Sequence, residues 1–149
     1  MQLIRQQCFE TNSSSCHSIS LANKPTEFET IYPAVRNSRV INIDLNNYEF
    51  GWEEADYTDP ETKLAYLLID IGYIDNPDSL EAKAVSAVVK EHTGCKLSVT
   101  KSGTAYSGGY IDHQSEGTCH DSGVLSSDEA IKSFLFSRDS VLTTDNDNH

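Results

Sequence analysis

Short stretches of this chain alternate apolar and polar residues, and longer ones repeat apolar residues at helical spacing. Val40-Ile-Asn-Ile-Asp-Leu45 places Ile41, Ile43 and Leu45 on one face, the pattern of a half-buried strand. Lys96-Leu-Ser-Val-Thr100 alternates in the same way. Leu3 to Phe9 reads as a short strand that runs through the polar stretch Glu10 to Ser18 into the alternating Ile19 and Leu21. Tyr110-Ile-Asp-His113 reads as a strand end, because tyrosine and isoleucine favour strands, and Ser140 to Thr144 is the expected last strand.

Helical spacing follows Pro60, with Asp59 placed to cap and Leu64, Leu67, Leu68 and Ile71 along one side, ending near Gly72. A second helix carries Ala82, Val85, Val88 and Val89, with a capping-box spacing at Asp78 and Glu81 and a closing Gly94. The same spacing at Ser126 and Glu129 opens a third, through Ala130, Ile131, Phe134 and Leu135. Between them, residues 46–62 read as an acidic connection and residues 114–124 as a loop. The expectation is a single compact α+β domain over residues 1–144, with a mostly antiparallel sheet and about three helices, followed by an acidic tail at 145–149.

Composition narrows the function classes. The 149 residues carry 23 acidic and 11 basic side chains, a formal charge of −12. Sequence-independent binding to nucleic-acid backbones depends on lysine and arginine, so this balance argues against it. No apolar run approaches the roughly 20 residues that span a bilayer. The start lacks an apolar export core, so a cytoplasmic protein is expected.

Cys8, Cys16, Cys95 and Cys119 form no Cys-x-x-Cys pair, and reduced, partly buried cysteines are expected. Cys16-His17 and Cys119-His120 invite a zinc reading. Adjacent residues on a strand point to opposite faces, which disfavours it, and no metal is assigned. Asp112, His113, His120 and Asp121, with Asp145 or Asp147, form a second set of divalent-ion ligand types, but their spacing constrains nothing. Ser102-Gly-Thr-Ala-Tyr-Ser-Gly-Gly109 matches neither phosphate-binding nor dinucleotide fingerprints and reads as a hairpin turn. No cofactor is implied.

Two constellations carry candidate chemistry. Ser13, Ser15 and His17 lie in one polar stretch, and Ser15 and His17 share a face if it is extended. A histidine beside a serine hydroxyl acts as general base when an acid orients its other nitrogen, and Asp112, next to His113, is the candidate acid. The bland alternative is a serine-rich cap or turn, since no Gly-x-Ser-x-Gly elbow is present. The second constellation is the acidic middle. From Asp44 to Glu81 eleven carboxylates face one base, Lys63, giving a regional charge of −10. Glu49, Trp52, Glu53, Glu54, Asp56, Tyr57 and Asp59 combine charge with aromatic side chains, as protein interfaces often do. Here the bland alternative is a solubilising face with its aromatics in the core.

Three strings, Phe9-Glu-Thr-Asn-Ser-Ser-Ser-Cys-His-Ser18, Tyr110-Ile-Asp-His-Gln-Ser115 and Phe134-Leu-Phe-Ser-Arg-Asp-Ser140 running into Thr144-Asp-Asn-Asp-Asn148, cover about a fifth of the chain. On them the sequence resembles an uncharacterised family of phage and prophage proteins. It departs from related sequences where Phe136-Ser-Arg-Asp-Ser140 stands in place of Phe-Asn-Pro-Asn-Ser. The resemblance implies a phage-derived origin and no particular chemistry. Two functions are therefore expected. One is a small enzyme or ligand-binding domain acting on a nucleotide-like substrate through Ser13, Ser15, His17, Asp112 and His113. The other is a non-enzymatic protein that binds and inhibits a basic, nucleic-acid-binding host protein through its acidic middle.

Overall fold

The computed structural model describes residues 15–102 and 108–146. Helix α1 (Pro60–Asp70) starts where the sequence places it, with the Asp59 carboxylate accepting from the Thr62 amide at 2.9 Å. Its middle is buried almost all round, since Lys63 and Tyr66 join Leu64, Ala65, Leu67 and Leu68 inside. Helix α2 (Leu80–Thr93) buries Ala82, Val85, Val88 and Val89 and stops at Gly94, whose φ of 75° is left-handed. Helix α4 (Asp128–Phe136) packs against both.

The expected caps shift by one residue. Ser79, not Asp78, accepts from the Ala82 amide at 3.1 Å, and Ser127, not Ser126, accepts from Ala130 at 3.0 Å. Each helix begins one residue later than its capping-box spacing suggests. The third residue after each true cap is an alanine, so no reciprocal carboxylate completes the box.

The stretch expected as a loop is more ordered. It contains 3-10 turns at His113–Ser115 and Val124–Ser126 and the short helix α3 (Thr118–Asp121). Asp70, at the end of α1, accepts from the amides of Gly117 at 2.7 Å and Cys119 at 2.8 Å. The carboxylate satisfying the start of α3 thus lies far away in sequence, where no local pattern reveals it.

The strands are β1 (Ser18–Ser20), β2 (Val40–Asp44), β3 (Glu49–Phe50), β4 (Ala55–Tyr57), β5 (Lys96–Thr100), β6 (Tyr110–Ile111) and β7 (Val141–Thr144). The largest sheet is antiparallel, in the order β1-β7-β4, and two small pairs, β2-β5 and β3-β6, are parallel. With the helices this makes one compact α+β domain. Strands β3 and β4 lie within the segment expected as an acidic connection. Strands β5 and β6 pair with β2 and β3 rather than with each other, so no β5-β6 hairpin forms, contrary to the reading of 102–109. Gly108 and Gly109 serve instead as a close-approach point. A side chain at Gly108 would collide with the Asn46 carbonyl, and the Gly109 amide donates to Tyr48 O at 2.6 Å.

Pairing continues beyond β7 into the segment expected as a tail. Asp145 O accepts from the Cys16 amide at 2.9 Å, and Asn146 bridges Ser15. Cys95 and Cys119 are free, buried thiols, whereas Cys16 is disulfide-bonded, which corrects the expectation of reduced cysteines at that position. Leu3 to Phe9, residues 103–107 and residues 147–149 lie outside the described residues. No helix among the described residues is long and apolar enough to cross a membrane.

Candidate functional site

Ser15 and Asp112 do come together. Pairing with Asn146 brings residues 15–17 alongside the turn that follows β6. The Ser15 hydroxyl donates to Asp112 Oδ2 at 2.7 Å and lies 2.6 Å from the Ser115 hydroxyl. Its one proton is committed to the carboxylate, so the Ser115 hydroxyl is the donor in the second contact. Ser115 Oγ in turn accepts from the His17 amide at 3.3 Å, and the Ser15 amide donates to Gln114 Oε1 at 3.2 Å. Asp112 also caps its own turn by accepting from the Gln114 amide at 3.2 Å. Ser15 and Ser115 are buried. The result is a polar seam in which these groups bond to one another.

His17 belongs to a different set of bonds. It is 3% exposed. Its Nε2 lies 2.6 Å from the Gly51 carbonyl, and its Nδ1 lies 2.9 Å from the Tyr66 hydroxyl. A carbonyl only accepts, so Nε2 carries the proton and Nδ1 accepts from Tyr66. Burial holds the imidazole pKa below its ordinary 6.5; the Gly51 bond and the charges of Glu53, Asp112 and Asp70 oppose that shift without overcoming it. Burial likewise pushes the Tyr66 hydroxyl far up, keeping it a neutral donor. Both ring nitrogens of His17 are thus engaged away from Ser15.

His113 stands apart, with 81% of its side chain exposed and its Nδ1 3.9 Å from Asp112 Oδ1. Ser13 lies outside the described residues. His120 and Asp121 are exposed on α3, and no group of three or more histidine, cysteine or acidic side chains gathers for a metal among the described residues.

The acidic segment divides its side chains cleanly. Phe50 is buried, packing edge-on against Tyr66 at 4.9 Å and Tyr57 at 5.8 Å and stacking with Tyr48 at 6.5 Å. Trp52, by contrast, is 51% exposed, and Tyr110, across the β3-β6 pair from Glu49, is 43% exposed. Glu49, Glu53, Glu54, Asp56 and Asp59 all face solvent. Their proximity is felt at Tyr110. Its hydroxyl pKa is raised above all by the Glu49 charge, with burial, Glu53 and Asp112 adding. Tyr110 therefore sits in a negative field, and the exposed Trp52 immediately precedes Glu53 and Glu54.

This surface is held from beneath. Gly51 O receives the His17 bond, and Trp52 O accepts from Asn146 Nδ2 at 2.7 Å. The Gly51 amide donates to Glu53 Oε2 at 2.9 Å. At the far end, Asp56 Oδ1 accepts from the Thr143 hydroxyl at 2.7 Å. Not every acid of the region belongs to the exposed face in this way, because Asp70 and Asp44 are engaged in bonds that order other segments. Asp44 accepts from the Ser102 hydroxyl at 2.6 Å and from the Asn46 amide at 3.0 Å, which together lower its pKa.

Sequence reasoning missed Tyr66, Ser115, Gln114 and Lys63. The first three complete the bonds of Ser15 and His17, and Tyr66 carries no signal beyond one hydroxyl in an apolar helix. Lys63 is fully buried, donating to Ser137 O at 2.7 Å and Ser140 O at 3.0 Å. Burial lowers its pKa to about 8, against the raising influence of Asp59 and Glu29. It satisfies carbonyls in the turn after α4, so the one base of the acidic region is held inside the fold. Comparison with protein-family models, characterised proteins and solved structures returns no match to this chain, so the reading of its function rests on the geometry above.

Proposed function

We propose that this protein is a non-enzymatic binding module that docks a basic protein surface onto its acidic face. One observation carries the reading: Tyr110 stands exposed in the field of Glu49, Glu53 and Asp112, and Trp52 stands exposed immediately before Glu53 and Glu54 in the chain. Exposed aromatic rings supply contact area and cation–π attraction, and the carboxylates accept from arginine and lysine donors. Proteins that bind nucleic acid present basic surfaces of this kind, so a partner held here would be blocked from its nucleic acid. Inhibition of a basic host protein in the host cytoplasm suits the phage-derived origin that the sequence resemblance implies.

The enzymatic reading is less well supported. A Ser/His/Asp relay needs an imidazole nitrogen free to take the serine proton. Ser15 gives its proton to Asp112 directly, and His17 must first leave Tyr66 and Gly51.

Calorimetric titration with an arginine-rich peptide at low and moderate salt tests the binding reading. Binding that weakens with salt, and falls at least about tenfold in Glu53→Lys/Glu54→Lys, is expected. Absence of binding, or equal binding by the reversed variant, would overturn it. Repeating the titration under reducing conditions checks that the Cys16 disulfide is not needed, as action in the cytoplasm requires.

A further inference from the structure

Residues 23–28 run beside helix α4 as a span pinned at both ends. At one end the Ala22 amide donates to Ser140 Oγ at 2.9 Å, and the Ala22 carbonyl accepts from Ser133 Oγ at 2.9 Å. Both serines are buried. At the other end the Glu29 amide donates to Phe136 O at 2.6 Å, and the Glu29 carbonyl accepts from His92 Nε2 at 2.6 Å. Between these anchors residues 23–28 make no hydrogen bond among the described residues. A cavity of about 430 Å³ lies between the span and α4, within the roughly 300–1,000 Å³ of small-molecule sites.

The lining of this cavity reverses the charge balance of the chain. Acids outnumber bases 23 to 11 overall, yet here Lys24 and Lys132 stand against one acid, Glu129. Glu129 lies one turn before Lys132 on α4, but among the described residues neither lysine forms an ion pair. Lys132 Nζ stands instead over the Phe28 ring, 4.4 Å from its centroid. Lys24 holds a left-handed φ of 54°, a conformation that residues other than glycine seldom take and that gathers at ligand clamps. The Ser133 hydroxyl, also at the cavity, is committed to Ala22 and Ser140. The two ammonium groups are therefore the charged donors left to a ligand, beside apolar surface from Leu21, Pro25, Phe28 and Ala130.

We infer that this cavity binds a small amphipathic monoanion, a carboxylate on a compact apolar body, with Lys24 and Lys132 taking the carboxylate. A cation would meet both ammonium groups, and a neutral analogue would gain nothing from them. An inorganic anion would leave the apolar lining uncovered. The site shares no residue with the acidic face, so its ligand is held whether or not that face has a partner.

The test is a titration of the intact, isotope-labelled protein with naphthoate and with decanoate, followed by amide NMR. Saturable shifts among residues 23–28 and 129–133 are expected with at least one of the two probes. Neutral naphthamide should bind at least about fivefold more weakly than naphthoate, and the double variant Lys24→Gln/Lys132→Gln should weaken naphthoate by a similar factor. No saturable shift with either probe at millimolar concentration, or shifts confined to other residues, would refute the site. Equal binding of the carboxylate and the carboxamide would do the same, as would unchanged binding by the folded double variant. If the double variant does not fold, the comparison of naphthoate with naphthamide on the wild type decides alone.

Discussion

The segment around Ser15 and His17 and the acidic loop around Trp52 are joined by the bond from His17 to the Gly51 carbonyl, yet they use polar residues in opposite ways. In the first, polar atoms face one another: Ser15 is bonded to Asp112 and Ser115, and His17 to Tyr66 and Gly51. Along the loop, Glu49, Glu53, Glu54, Asp56 and Asp59 face water, and two aromatic rings stay exposed among them. Residue types associated with catalysis are here bonded to one another and to the backbone, because a buried polar group must be paired to be tolerated. The carboxylates of the loop also accept bonds, Glu53 from the Gly51 amide, Asp56 from the Thr143 hydroxyl and Asp59 from the Thr62 amide, but they do so at the solvent-facing surface.

That contrast is open to direct challenge. The largest effect belongs to Phe50, which anchors the loop in the core. Phe50→Ala should cost about 3–5 kcal/mol of unfolding free energy, measured by urea denaturation, and a cost under about 1 kcal/mol would show that the loop is not anchored there. Next comes the polar seam. Asp112→Ala leaves the Ser15 hydroxyl without its acceptor and should cost about 1–3 kcal/mol on the same measurement. A variant as stable as the wild type would return Ser15 and Asp112 to the list of functional rather than structural residues.

A smaller effect should appear in the pH dependence of stability. His17 has its pKa lowered by folding, so the unfolded chain binds more protons below 6.5. Stability from this group is therefore complete above pH 6.5 and falls as pH drops toward the folded-state value, where the loss levels off. Melting temperatures across this range should show that slope in wild type and a flatter one in His17→Gln. The smallest change in stability is expected at the exposed ring. Trp52→Ala should alter unfolding free energy by no more than about 0.5–1 kcal/mol while sharply weakening binding to an arginine-rich peptide. The reverse pattern would place Trp52 with Phe50 as a structural residue.

Much of the fold was legible along the chain. Helix α1 begins at the Pro60 that the Asp59-Pro60 pair marks, and the apolar positions Ala82, Val85, Val88 and Val89 are the buried face of α2. Ile41, Ile43 and Leu45 are buried as their alternation indicates. Where the reading failed, the deciding partner was distant. The stretch around Thr118 is helical because Asp70 supplies its cap, and the two-residue strand β3 exists because the glycines at 108 and 109 let β6 lie beside it. The candidate site was legible only in its ingredients. Ser15 and Asp112 meet, but the sequence carried no sign that Tyr66 and Gly51 would claim His17.

By itself, the sequence determined the helices, the stronger strands and the concentration of negative charge between Asp44 and Glu81, because periodicity, capping residues and composition are local properties. Tertiary structure decided which of the polar groups remain available. Burial and long-range hydrogen bonding are settled by what the fold brings alongside each residue, and that is how Phe50 became core while Trp52, two positions later, became surface. The same physics buried His17 between Tyr66 and Gly51, with both ring nitrogens bonded.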